Sequence, residues 1–163
     1  MTPVTVHLPD EAATEELARR LAPHVAGGGR IHLAGDLGAG KTTFARALLR
    51  ACGIRGRIKS PTFSLVEVYD DSNLYCYHFD FYRFTDPREW LDAGFREAMH
   101  DRALVLIEWA EKAGAELPPP DLEVRLEPSP DDGRIATLTA FSEQGQAWIT
   151  ALFPPTAQNP PAT

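Results

Sequence analysis

Eight consecutive residues of this chain have the spacing of a phosphate-binding loop. The segment 35–42 reads Gly-Asp-Leu-Gly-Ala-Gly-Lys-Thr and matches G-x-x-x-x-G-K-[ST] at every fixed position. Glycines let the backbone fold around a phosphate so that successive N–H groups point inward. In such a loop the lysine reaches the β- and γ-phosphates and the hydroxyl residue ligates Mg²⁺. The predicted nucleotide-binding residues are Gly35, Asp36, Leu37, Gly38, Ala39, Gly40, Lys41 and Thr42.

Two acidic residues stand where metal and water chemistry would need them. Asp80 closes the second strand of a predicted hairpin, and Glu108 directly follows the apolar run 103–107. Phosphoryl transfer to water needs carboxylates that hold the metal and orient the water. An isolated acid at a strand end is otherwise a solvated side chain, but the preceding loop favours a catalytic role. We predict that each either coordinates the metal or orients the attacking water, and which residue has which role stays open.

A third candidate lies between the loop and the hairpin, in Ser-Pro-Thr-Phe at 60–63. In GTPase-like proteins this position holds a switch loop whose threonine senses the γ-phosphate. We predict this role for Thr62. The alternative is an ordinary turn residue before a strand.

The remaining sequence alternates strand and helix patterns, which is typical of an α/β domain. Asp10 is a helix N-cap signal, and Asp86-Pro87 is a second one. The predicted strands are 4–8, 31–34, 64–69, 74–82, 103–107, 122–126 and 135–141. The predicted helices are 11–26, 41 to about 52 with Phe44, Ala47, Leu48 and Ala51 on one face, 86 to about 100, and about 147–152.

These elements predict one P-loop NTPase domain over residues 1–153, followed by a disordered tail at 154–163. We expect a central, mostly parallel sheet with antiparallel edge hairpins and helices on both faces. The formal net charge is −7, which argues against direct tRNA or DNA binding by this chain alone. No leader-like segment or long apolar run is present, so the prediction is a cytoplasmic protein without membrane contact.

Several motifs together resemble one family. They are Gly-Asp-Leu-Gly-Ala-Gly-Lys-Thr-Thr at 35–43, Ser-Pro-Thr-Phe at 60–63, His-Phe-Asp-Phe-Tyr-Arg at 78–83 and Ile-Glu-Trp-Ala-Glu-Lys at 107–112. In this order they are similar to the TsaE family, also called YjeE, across about residues 4–142. Phe81 departs from the family pattern, which usually has leucine there.

The resemblance implies a bacterial ATPase required for the threonylcarbamoyladenosine modification of tRNA adenosine 37. It implies that Lys41, Thr42 and Thr43 serve ATP and Mg²⁺, and that Asp80 and Glu108 complete the metal and hydrolysis site. It further implies that Trp109 lies close to that site, although by itself Trp109 reads as a core anchor.

The same resemblance implies partners. A TsaD-like and TsaB-like pair would contact tRNA, and ATP hydrolysis would reset the complex between turnovers. We separately predict that the isolated chain hydrolyses ATP slowly. The basic residues Arg50, Arg55, Arg57 and Lys59 are either a partner contact or a solvated face.

Two other functions could use the same phosphate-binding loop: a small-molecule kinase and a GTP-dependent switch. A small-molecule kinase needs lid arginines, and beyond Trp109 the only arginines are Arg125 and Arg134, both in a predicted hairpin. A GTP-dependent switch needs an Asn-Lys-x-Asp motif, which is absent from the sequence. ATP is therefore favoured. Glu111 and Lys112 are candidate neighbours of the base, and Arg83 is a candidate internal contributor to catalysis.

Overall fold

A computed structural model of the chain describes residues 2–62, 64–71, 74–83, 95, 102–114 and 117–155. These residues form one seven-stranded sheet, three α-helices and a short 3₁₀ helix at Ala110–Ala113. The strands are β1 Val4–Leu8, β2 Gly29–Ala34, β3 Val66–Asp71, β4 Leu74–Asp80, β5 Leu104–Glu108, β6 Leu122–Pro128 and β7 Arg134–Ala140. The α-helices are α1 Glu11–Val25, α2 Lys41–Ala51 and α3 Glu143–Leu152.

The sheet has a parallel centre and antiparallel edges. Its strand order is β1-β7-β6-β2-β5-β4-β3. The central strands β6, β2, β5 and β4 run parallel to one another, whereas β3 pairs antiparallel with β4, and β7 pairs antiparallel with both β6 and β1. This confirms the predicted fold class. Every residue of β5 is buried, which explains why residues 104–107 are continuously apolar rather than alternating; the buried Glu108 closes the strand.

Alternate residues of the central strands supply two separate cores. Leu104 and Leu106 of β5 pack in the cluster that includes the buried faces of α1, α2 and α3. Val105 and Ile107 point to the opposite cluster, which contains Phe95, a helical residue, and Ala113 of the 3₁₀ helix. Because side chains alternate across a strand, Asp80 and Glu108 share the face of Leu104 and not that of Ile107.

The two helices nearest the loop follow the predicted patterns, with one exception. The Asp10 side chain accepts a hydrogen bond from the Ala13 N–H at 2.8 Å and caps α1. Phe44 and Leu48 of α2 are fully buried. The exception is Ala51: it has the spacing of the same face but is exposed, because it is the last residue of α2 and lies on the groove between α1 and α2.

Several element boundaries differ from the prediction by one to four residues, and two of the differences have a local cause. Strand β3 begins at Val66 because Leu65 has a left-handed backbone, φ 68°, which strand geometry does not allow. Strand β4 ends at Asp80, two residues earlier than predicted. Helix α3 begins at Glu143, four residues earlier than predicted, because the Ser142 hydroxyl caps it by accepting from the Gly145 N–H at 3.0 Å.

Two predictions fall largely outside the described residues. Of the predicted helix from 86 to about 100, the structure describes Phe95 alone, and that residue is helical. Of the predicted tail it describes residues 154–155 alone. Among the described helices, none combines the length and apolar character that crossing a membrane would require.

Candidate phosphate-binding site

The glycine-rich loop connects the end of β2 to the start of α2, as the motif requires. Gly40 stands at the N-cap of α2 with φ 106°, a left-handed conformation that favours glycine. Gly35 has φ 133°, and a Cβ there would collide with the Leu126 carbonyl oxygen of the neighbouring strand β6. The glycines therefore permit both the turn and the close approach of the loop to the sheet.

Lys41 is held at the mouth of this loop. Its side chain is only 5% exposed. The ammonium donates a hydrogen bond to the Gly35 carbonyl at 2.7 Å and lies 3.8 Å from the centre of the Trp109 ring. Burial lowers the pKa of Lys41, and the negative charges of Glu108 and Asp80 oppose that shift. Lys41 is thus a desolvated cation facing two carboxylates.

Those two carboxylates are neighbours across the sheet. Asp80 ends β4, Glu108 ends β5, and the two residues are register partners on parallel strands. Both are buried. Burial raises the pKa of Asp80; the hydrogen bond from the Tyr82 N–H, at 2.9 Å, opposes the rise, and the charge of Glu108 adds to it. The carboxyl ends of parallel strands are where α/β proteins bind ligands.

His78 supports Glu108 from within the same face. The His78 Nε2 and the Glu108 carboxylate are 2.7 Å apart, and both side chains are buried. A carboxylate can only accept, so Nε2 carries the hydrogen and donates it. The His78 Nδ1 has no hydrogen-bond partner among the described residues.

Thr62 lies next to Asp80, as the switch hypothesis requires. Its hydroxyl is 3.5 Å from the Asp80 carboxylate and 2.7 Å from the Ser60 hydroxyl. The Asp80 N–H also donates to the Leu65 carbonyl at 2.9 Å. The segment that carries Thr62 is therefore tied to the end of β4.

One cavity of about 440 Å³ collects most of the predicted site. Its lining residues are Leu37, Gly38, Gly40, Lys41, Thr42, Thr43, Thr62, Asp80, Tyr82, Arg83, Glu108 and Trp109. Gly35, Asp36 and Ala39 belong to the loop but do not line this cavity.

Tyr82 is a lining residue that the sequence analysis missed. Its ring packs 4.9 Å from that of Trp109, which itself adopts a left-handed backbone with φ 60°. Tyr82 lies two residues after Asp80, so a continuing strand would place both side chains on the same face. This signal is weak because β4 ends at Asp80.

The donor set fits magnesium. Mg²⁺ prefers oxygen ligands and usually combines one or two carboxylates with phosphate oxygens and waters. The Thr42 hydroxyl and the carboxylates of Asp80 and Glu108 border the same cavity. Since the Asp80 pKa is raised by burial and by the nearby Glu108 charge, a cation in this cavity would offset the cost of two buried negative charges.

The loop also borders a second cavity, on the side of Thr43. It has a volume of about 260 Å³. Gly38 and Gly40 of the loop and Thr14 of α1 line it together with Gly133 and Arg134 of the β6–β7 hairpin. Glu111, a candidate neighbour of the base, instead lines a separate cavity that also includes His32.

A strand, glycine-rich loop and helix at the carboxyl edge of a largely parallel sheet define the P-loop class of α/β proteins. The model of the family described as "Threonylcarbamoyl adenosine biosynthesis protein TsaE" matches residues 8–136. The chain belongs to the TsaE family.

Individual relatives agree with this assignment. The chain is 37% identical to the tRNA threonylcarbamoyladenosine biosynthesis protein TsaE of Haemophilus influenzae, over 93% of this chain and 98% of the relative. It is 38% identical to the TsaE of Bacillus subtilis, over 80% and 82%. Among solved structures it is similar to Bacillus subtilis YdiB, with a TM-score of 0.79, 30% identity and coverage of 93% and 94% of the two chains.

Proposed function

We propose that this chain is a Mg²⁺-dependent ATPase that supports the threonylcarbamoyladenosine modification of tRNA. The observation that carries the proposal is the convergence of Lys41, Asp80, Glu108 and Thr62 on the cavity at the glycine-rich loop. This combination provides a phosphate-binding loop, a cation and a carboxylate pair in one place. The printed names of the family and of its relatives supply the biological process.

Each residue has a role that its position supports. Lys41 exchanges its bond to the Gly35 carbonyl for the β- and γ-phosphates, and the loop N–H groups bind the phosphate oxygens. Thr42 and Asp80 would hold Mg²⁺, which would supply charge neutralisation for the phosphoryl group. Glu108, fixed by His78, orients the attacking water and accepts its proton. Thr62, beside Asp80, reports whether the γ-phosphate is present.

The rest of the nucleotide needs space on the opposite side of the loop. With the γ-phosphate directed at Asp80 and Glu108, the nucleoside leaves the loop near Thr43. The second cavity of about 260 Å³ lies there, between the loop and Gly133 of the β6–β7 hairpin. We assign the nucleoside to this cavity; Glu111 and Lys112, the candidate neighbours of the base, do not line it.

The proposed partners are a TsaD-like and a TsaB-like protein. A chain of formal net charge −7 is poorly suited to binding a polyanion alone. Contact with tRNA is therefore assigned to the partners, and the ATPase is slow without them. The proposed complex of this chain with its partners acts in the cytoplasm.

The test is steady-state phosphate release from ATP by the chain alone and with its cognate TsaD–TsaB pair, with Lys41→Ala as the blank. We expect low activity that rises with the pair and disappears in the variant. Hydrolysis that ignores the pair would contradict the biological role and leave the ATPase assignment standing. A phosphorylated small-molecule product in place of free phosphate would identify a kinase and contradict both.

A further inference from the structure

Arg134 connects the β6–β7 hairpin to the back of the phosphate-binding loop. Its Nε donates to the Ala39 carbonyl at 3.0 Å, and one terminal nitrogen donates to the Gly38 carbonyl at 3.1 Å. The guanidinium also donates to the carbonyl of Gly133 at 2.9 Å. A residue 95 positions along the chain from Ala39 thus bonds two consecutive carbonyls of the loop.

The geometry of the loop makes these carbonyls available to Arg134. A loop that turns its N–H groups inward to a phosphate turns carbonyl oxygens outward. The planar guanidinium presents donors in a fixed fork, so one side chain can satisfy two neighbouring carbonyls at once. The loop's internal bond, from the Ala39 N–H to the Asp36 carbonyl at 3.1 Å, leaves the Gly38 and Ala39 carbonyls available for it.

The anchor point of Arg134 is rigid. It is the first residue of β7, where it pairs with Leu8 of β1 on one side and Pro128 of β6 on the other. The same hairpin meets the loop at a second place, because the Leu126 carbonyl lies where a Cβ on Gly35 would be. The β6–β7 hairpin therefore closely approaches the loop at Gly35 and bonds it at Gly38 and Ala39.

We propose that Arg134 is a positioning residue that keeps the loop in its phosphate-binding conformation. It acts from the carbonyl side and does not need to touch the phosphates. Because Arg134 also lines the cavity assigned to the nucleoside, its effect on the loop is measured first in the nucleotide-free chain. Without it, part of the loop's ordering cost moves to the binding step, and nucleotide affinity falls while the chemistry of bound ATP is unchanged. The expected change in ATP affinity rests on the proposed function.

The first measurement is amide hydrogen exchange of residues 36–40 in the nucleotide-free chain. Arg134→Ala is expected to speed that exchange about tenfold or more. The matched control is Arg125→Ala, which removes an exposed arginine of the same hairpin whose guanidinium contacts Glu123 at 3.4 Å. The control is expected to leave the loop amides unchanged. Equal exchange rates in the wild type and Arg134→Ala would overturn the inference.

The second measurement gives the dissociation constant for ATP and the kcat for ATP hydrolysis. Arg134→Ala is expected to weaken ATP binding about tenfold or more with kcat within about twofold, which a loss of folded protein would not produce. Arg134→Lys keeps the charge but lacks the fork, so it should not restore wild-type affinity. Full restoration by lysine would overturn the inference. If loop exchange is faster in Arg134→Ala than in the wild type but the wild type binds no ATP, the proposed function is contradicted while the positioning role stands.

Discussion

At the scale of single residues, the site depends on how a buried carboxylate is held. Glu108 is buried and bonded to His78 at 2.7 Å, while Asp80 takes a backbone N–H from Tyr82. The two acids therefore have different supports, although they are register partners. This difference matches the proposed division, in which Asp80 binds the metal and Glu108 works on water.

His78→Ala is expected to lower kcat for ATP hydrolysis by about ten- to one-hundredfold and to leave the ATP dissociation constant within about twofold. The reason is that residues that orient a catalytic ligand usually carry effects of this size. His78→Gln retains a donor for Glu108 and should recover part of kcat. The control is His7→Ala, which removes an exposed histidine bonded to Asp131. An unchanged kcat in His78→Ala would contradict the positioning of Glu108.

Much of this site was predictable from the sequence, but the contacts between residues far apart in the chain were not. The loop could be read because its residues are contiguous, and Asp80 and Glu108 because each ends a strand pattern. Lys41 stacking on Trp109 at 3.8 Å could not be read from spacing, since the two residues meet only after β2 and β5 pair. Arg134 gave no signal at all, because its contact with Ala39 arises from the order of strands.

At the scale of elements, α3 is fixed by a close approach that its sequence does not announce. Gly145 lies so near the Asp121 carbonyl that a Cβ there would collide with it. Asp121 also accepts from the Ser142 hydroxyl at 2.7 Å and from the Arg30 N–H at 2.9 Å. The start of α3 is therefore joined to β2 through Asp121.

Gly145→Ala is expected to lower the free energy of unfolding by about 1–3 kcal/mol, the usual cost of overpacking. Helix propensity alone predicts the opposite sign, a gain of about 0.5–1 kcal/mol. Urea unfolding followed by circular dichroism decides between them. Gly27→Ala is the control, because nothing lies within 4 Å of a Cβ at that position. A more stable Gly145→Ala chain would show that α3 can move away from Asp121.

The type of an element was predictable where its own residues carry a signal. A boundary was not predictable where the backbone dihedral of a single residue sets it. The period-two pattern of β1 and the Asp10 cap of α1 both lie within a few residues of the element. The start of β3, in contrast, is set by the left-handed backbone of Leu65, and leucine carries no signal for that conformation.

At the scale of the whole molecule, the sheet order brings distant segments to one edge. Strand β2 lies between β5 and β6, so the loop that follows it is bordered by Glu108 on one side and by the β6–β7 hairpin on the other. Alternation of strands and helices predicted a parallel centre, but not which strand would lie beside β2. The site's composition follows from that order.

The other face of the sheet carries His32, which we expect to couple the stability of the fold to pH. Burial, with the charge of Arg30 as a second cause, lowers the pKa of His32 to about 4 from 6.5. Between these values the unfolded chain binds a proton that the folded chain does not, so stability rises with pH across the window and is lost as pH falls from 6.5 to 4. The loss is at most about 1.4 kcal/mol per pH unit.

His32→Gln is expected to remove this part of the pH dependence. The measurement is urea unfolding of the wild type and the variant at several values between pH 4 and 7, since the difference between them cancels the contribution of other groups. His24→Gln, which changes an exposed histidine, is the control and should leave the slope as in the wild type. A wild-type slope retained in His32→Gln would contradict the role of His32.

The most direct test of the central claim is a calorimetric titration of the wild type and Lys41→Ala with Mg²⁺ and ATP. Binding at one site in the wild type, weakened at least about a hundredfold in the variant, is the predicted result, because Lys41 is the buried cation at the mouth of the loop. Equal binding by both chains would show that ATP is held elsewhere and would contradict the assignment of this cavity.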